Sequence, residues 1–168
     1  MNLKDFFLDE LEREGALTRK ALARVPDNRT DWKPHPKSMP LGYLSTLVAK
    51  MPAWVTMTIE HDEFDIKAPN AAEFSPSVVP TSRELVELLD QSVARARASL
   101  QTTTDEHLSK PWKFLVGGHL VSQDPRYVVL RDSMFNHLAH HRGQLTVYLR
   151  LNDAAVPSIY GPTADEPF

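Results

Sequence analysis

The residues of this 168-residue chain best suited to chemistry are crowded into one stretch, Asn136-His137-Leu138-Ala139-His140-His141-Arg142-Gly143-Gln144. Four residues of an α-helix turn through ~400°, so His137 and His141 would stand one above the other on a single face, with His140 about a quarter turn away. Paired imidazoles at this spacing can share a divalent ion, and Gln144, one turn farther along, can orient a ligating ring through a hydrogen bond. The same pair has a second reading, as half-buried polar residues bonded to a carboxylate such as Glu14 on the first helix. A catalytic transition metal usually takes three protein ligands plus water, so the spacing alone leaves both readings open. His140 reads as solvent-facing.

The chain contains no cysteine. Disulfides, thiolate metal sites and a cysteine nucleophile are thereby excluded, and any metal must use His, Asp or Glu. Ser38, Ser45 and Thr46 carry hydroxyls near the second helix, but no base is placed beside them, and they read as caps or solvated positions. Gly117-Gly118 reads as a turn, since no Lys-Ser/Thr follows it in the phosphate-loop pattern. Arg126, Arg131, Arg142 and Arg150 spread round the last helix at mixed angles, which predicts solvated or dimer-contact side chains. Gly143 inside a helix costs ~1 kcal/mol relative to alanine, which predicts a second backbone or helix passing close to it.

The elements that must position these residues follow from apolar spacing. Leu3, Phe6, Phe7, Leu11, Leu17, Ala21, Leu22 and Val25 form one amphipathic run from 3 to 25, ended by Pro26-Asp27-Asn28. Pro34, Pro36 and Pro40 keep the following loop extended, and Trp32 is expected to anchor it to the core. A second run begins after Ser38, carries Leu41, Leu44, Leu47, Val48, Met51 and Val55 on one face, kinks at Pro52 and fades near His61. Residues 62–80 show no sustained period and read as a long surface connection. Thr81-Ser82-Arg83-Glu84 has the spacing of a capping box and opens a third helix that stops in Thr102-Thr103-Thr104. The Gly117-Gly118 pair between two short apolar runs signals a hairpin. Asp124-Pro125 then reads as N-cap and first position of a fourth helix to about Asn152, followed by an irregular tail. Four helices of this length bury one shared apolar seam as an all-α four-helix bundle, with a β-hairpin-like insertion before the fourth helix and one domain over residues 1–168.

Composition narrows the function classes. Apolar residues at 42% and charged residues at 24% are globular values. The formal charge of −3 supplies no positive field for a nucleic-acid backbone, so no nucleic-acid partner is expected. The N-terminal Met1-Asn2-Leu3-Lys4-Asp5-Phe6-Phe7 turns acidic at once and lacks an apolar leader core, which predicts a cytoplasmic protein. No stretch approaches ~18 consecutive apolar residues, so no membrane span is expected. Apolar Met57, Ile59, Val129 and Val147 lie off the seam side of the second and fourth helices and suggest a helix-face homodimer.

The fourth-helix run from Asn136 to Arg150, the tail Ile159-Tyr160-Gly161-Pro162-Thr163-Ala164-Asp165-Glu166 and the segment Trp32-Lys33-Pro34-His35-Pro36-Lys37-Ser38 together resemble the DinB-like superfamily of metal-binding four-helix bundles over nearly the whole chain. The resemblance implies a divalent ion, often nickel or zinc, held by one histidine on the second helix and two on the fourth, and a homodimer. It also implies, for some members, transfer of low-molecular-weight thiols. The fourth-helix ligands match His137 and His141. The second-helix ligand falls at Leu47, which cannot coordinate a metal. Two functions follow as expectations: a binding or stress-associated protein whose partly degenerate site holds metal weakly or not at all, with a small-molecule ligand; or a metal-dependent enzyme of the thiol-transferase or hydrolase type.

Overall fold

The computed structural model describes residues 2–69, 71 and 77–167. The chain is mostly helical, with one small three-stranded sheet. Helix α1 spans Leu3–Leu22 and is capped twice: Asn2 accepts from the Asp5 amide at 2.8 Å, and the Asp105 carboxylate takes the Leu3 and Lys4 amides at 2.9 and 3.0 Å. These bonds satisfy donors that the first turn of any helix leaves free. The run predicted to reach Val25 is helical only to Leu22, with Arg24 and Val25 closing tighter turns onto the carbonyls of Ala21 and Leu22.

The second run is two helices, α2 over Leu41–Lys50 and α3 over Ala53–Glu60, divided at Met51-Pro52 where the kink is expected. Ser38 does not cap it: Pro40 holds the N-cap position, and the Ser38 amide instead closes a turn onto the His35 carbonyl. Ser45 and Thr46 are buried rather than solvated. Ser45 donates to the Leu41 carbonyl, and Thr46 accepts the Val79 amide at 3.0 Å. Trp32 anchors its loop as predicted, its ring edge-on to Tyr148 with centroids 5.4 Å apart.

Helix α4 spans Ser82–Thr102, and the capping box forms with one change. Thr81 Oγ1 accepts the Glu84 amide at 3.2 Å, while Glu84 reaches back to the Thr81 hydroxyl at 2.5 Å instead of the backbone. A short α5, Asp105–Leu108, leads into strands β2, Pro111–Val116, and β3, His119–Pro125. The hairpin turns at Gly117-Gly118, whose φ angles of +61° and +79° suit glycine. The segment predicted as connection from 62 to 80 lies partly outside the described residues. Within it, Glu63–Asp65 forms β1, which pairs in parallel with β2. The Asp65 carboxylate holds this end together by accepting the Gly117, Gly118 and Lys67 amides. Those bonds hold its carboxyl below the usual carboxylate range.

The last helix begins later than predicted. Asp124 belongs to β3, Pro125 takes the N-cap position, and α6 runs Arg126–Val129. A wide π-helical stretch, Leu130–Asn136, follows, and α7 completes it over His137–Leu151. The main core lies between α1, α2, α4 and this helix, around Leu11, Leu44, Leu89, Leu138 and Leu149. A second cluster, Met57, Trp112 and Val129, joins the sheet to α3 and α6. Met57, Ile59 and Val129, expected on an outer face, are therefore buried within the chain, while Val147 is exposed.

Two arginines also depart from expectation. Arg126 is 1% exposed and bonds the carbonyls of Thr58, His61 and Pro111 and the Asp62 carboxylate, so it rivets the sheet to α3. Arg142 is equally buried, against Glu14. At Gly143 an added Cβ would meet nothing within 4 Å, so no close helix explains that glycine. The tight glycine is Gly42, where a Cβ would lie 2.9 Å from Thr30 and Val78 atoms.

Candidate functional site

The regular α-helix resumes at His137, directly after the wide turn, and this register brings the histidines together. The rings of His137 and His141 lie 4.5 Å apart between centroids, and His140 stands 5.0 Å from His141. His140 is exposed, as expected, while His141 is buried and His137 half-buried. The predicted Gln144 contact forms: His141 Nδ1 lies 2.8 Å from Gln144 Oε1. An amide oxygen only accepts, so Nδ1 carries the proton and Nε2 keeps its lone pair. Burial pushes the His137 imidazole below the usual histidine range; His141 and His140 push it the same way, and the nearby Ser133 backbone opposes them. Burial also lowers His141, with the Gln144 bond opposing and His140 adding to the fall. Both rings therefore favour the neutral, lone-pair-bearing form that binds metal.

Among the described residues the donor set nevertheless stops at two. Among the described residues, no group of three or more His, Asp or Glu side chains is disposed to hold one ion. Leu47, at the position the resemblance gives to the third ligand, lines the same cavity as His137. Glu14 is not the histidines' partner. Its Oε2 lies 2.6 Å from Arg142 and accepts the Tyr160 hydroxyl at 2.7 Å, and Arg142 also donates to Thr18 Oγ1 and the Glu14 carbonyl. The described residues thus do not complete a tight metal site of three protein ligands.

What the sequence did not disclose is the cavity itself, about 440 Å³ between the sheet, α3 and the last helix. Its volume is typical of small-molecule sites. Strand alternation builds one wall: Trp112 and Phe114 share a face of β2, Asp124 and Ser122 are their cross-strand partners on β3, and Phe64 pairs with Phe114 from β1. Trp54 on α3 and His137 on α7 face them across the space, and the Trp54 and His137 rings are 5.6 Å apart. Trp112 Nε1 is buried with no hydrogen-bond partner among the described residues, an arrangement that costs about 1–3 kcal/mol where it persists. The period-two placement of Trp112 and Phe114 was a signal in the sequence; the contribution of Phe64, inside an apparently irregular connection, was not.

The comparisons agree with this architecture. The chain is similar to YrdA, an uncharacterized protein of Bacillus subtilis (strain 168), at 28% identity over 163 residues, covering 96% of this chain and 90% of YrdA. Among solved structures it resembles a DinB-like protein from Bacillus cereus ATCC 10987, with a TM-score of 0.70 at 24% identity, covering 92% of this chain and 95% of that one. A DinB-like protein of Bacillus subtilis, YjoA, gives a TM-score of 0.67 at 16% identity, covering 90% and 96%. At these identities the likeness of structures speaks for the fold alone. The family model of the DinB superfamily matches residues 10–145, most of the helical core and both site histidines, His137 and His141, included, and the chain belongs to that superfamily.

Proposed function

We propose that this protein is a small-molecule binding protein built on a four-helix-bundle frame, in which a partly degenerate metal site has become one wall of an apolar cavity. The observation that carries the reading is the joint placement of Leu47 and His137 on that cavity. Leucine extends the apolar lining where a third imidazole would have to stand, and His137 and His141 remain as a pair able to hold nickel or zinc only weakly. The protein acts as a single domain, in the cytoplasm, as a two-fold homodimer. The 4.5 Å His137–His141 separation and the Gln144 bond support the second reading, a metal-dependent enzyme of the thiol-transferase or hydrolase type.

Isothermal titration with nickel or zinc separates the two. Native protein dialysed free of metal is expected to show no tight site, and Leu47→His to bind the ion well above the native level. Tight binding of one ion per native subunit would instead overturn the degenerate-site reading and favour the enzyme reading. The cavity is tested by the indole resonances of the three tryptophans. Benzyl alcohol should shift Trp54 and Trp112, which line the cavity, and leave Trp32, packed on Tyr148, unmoved.

A further inference from the structure

The charge distribution around the cavity specifies more than its size. Its described lining includes the aromatic rings of Trp54, Phe64, Trp112 and Phe114, two carboxylates, and no lysine or arginine. The carboxylates differ in what they have left to offer. Asp132 is committed to Arg131 at 2.7 Å and receives the Asn136 amide at 3.3 Å, so its charge is largely answered. The Asp124 carboxylate has no ion-pair or hydrogen-bond partner among the described residues, and the residue lines the cavity while remaining exposed. Register places Asp124 directly opposite Trp112, so the free carboxylate and the indole share the inner face of the sheet.

A cation desolvated over the face of an aromatic ring is held by the ring quadrupole, and a nearby carboxylate adds Coulomb attraction. The same surroundings are unfavourable for an anion, which would find in the described lining two carboxylates, no lysine or arginine, and a single basic side chain, the His137 imidazole. Resting on the reading of the cavity as a small-molecule site, we propose that its ligand class is the hydrophobic organic cation, an amine or quaternary ammonium, with its charged head between Asp124 and the Trp112 and Phe114 rings and its apolar body toward Trp54 and Met57.

Three probes of similar size decide it on the native protein: benzyltrimethylammonium, benzyl alcohol and phenylacetate, each titrated while the indole resonances are followed. The cation is expected to bind about tenfold tighter than the alcohol, with phenylacetate weakest, and to lose affinity as salt is raised. Asp124→Asn, at an exposed rim position, should weaken the cation severalfold and leave the alcohol unchanged within about twofold. If the alcohol shifts Trp54 and Trp112 but the cation binds no tighter, or if Asp124→Asn leaves the cation's affinity intact, the charge preference is refuted while the cavity reading stands. If phenylacetate binds best, the sign is wrong. If none of the three shifts these indoles, both readings fall together.

Discussion

Replacing Arg142 by methionine tests whether the buried pair it forms with Glu14 holds the last helix against α1. Arg142 is 1% exposed and Glu14 3%, and the two residues are 128 positions apart in sequence. The guanidinium bonds Glu14 Oε2, the Glu14 carbonyl, Thr18 and Tyr160, so Arg142→Met removes every one of these at once. It leaves the Glu14 carboxylate buried with the Tyr160 hydroxyl as its remaining close donor, since Arg13 stands 3.8 Å away on a largely exposed side chain. Breaking one member of a buried pair in this way costs about 3–5 kcal/mol, because the other charge is left uncompensated. On a chain of this length, where each kcal/mol moves the midpoint by about 2–4 °C, the loss in Tm is on the order of 10 °C. Removing both charges together, in Glu14→Leu with Arg142→Met, eliminates the stranded carboxylate and should recover most of that loss. Urea unfolding followed by circular dichroism measures the native protein and both variants. A single substitution within about 1 kcal/mol of native, or a double variant no better than the single, would refute the account.

The C-terminal tail should detach in acid. Asp165 is held below the usual carboxylate range by Arg150 and the Val156 amide, and Glu166 by the Ser158 amide, with Arg24 contributing to both. A folded pKa below the unfolded one means that the docking contribution is complete above the ordinary carboxylate pKa of about 4 and disappears as pH falls through the lowered values. The Val156 and Ser158 amide resonances should titrate with midpoints below those of free Asp and Glu, and midpoints at or above them would overturn this. Gly143→Ala should stabilise the protein by about 0.5–1 kcal/mol, because its Cβ meets nothing and alanine favours the helix. Gly42→Ala should destabilise it, since Thr30 and Val78 atoms lie 2.9 Å from the new methyl; thermal melts of the two variants with the same sign would contradict the packing. Light scattering at micromolar concentration should give twice the 19.0 kDa chain mass, and a monomer mass would count against the homodimer.

Most of the helical frame was legible because its signals are local. The capping box at Thr81, the break at Pro52, the Gly117-Gly118 turn and the stacking of His137 over His141 each depend on residues within a turn or two of one another. The errors at helix ends, Val25 and Asp124, belong to the same local range, where one more hydrogen bond shifts a boundary. Tertiary structure alone decided which charges are inside. Arg126 and Arg142 share a residue type and a helix with Arg131 and Arg150, yet the first two are buried and the second two lie at the surface. Nothing on the helix distinguishes them; what does is a carboxylate or a set of carbonyls supplied from distant segments, Glu14 for one and Thr58 and His61 for the other. The cavity has the same origin. Phe64, Trp112, Asp124, Leu47 and His137 come from five separate elements, and only strand register and helix packing bring them round one space.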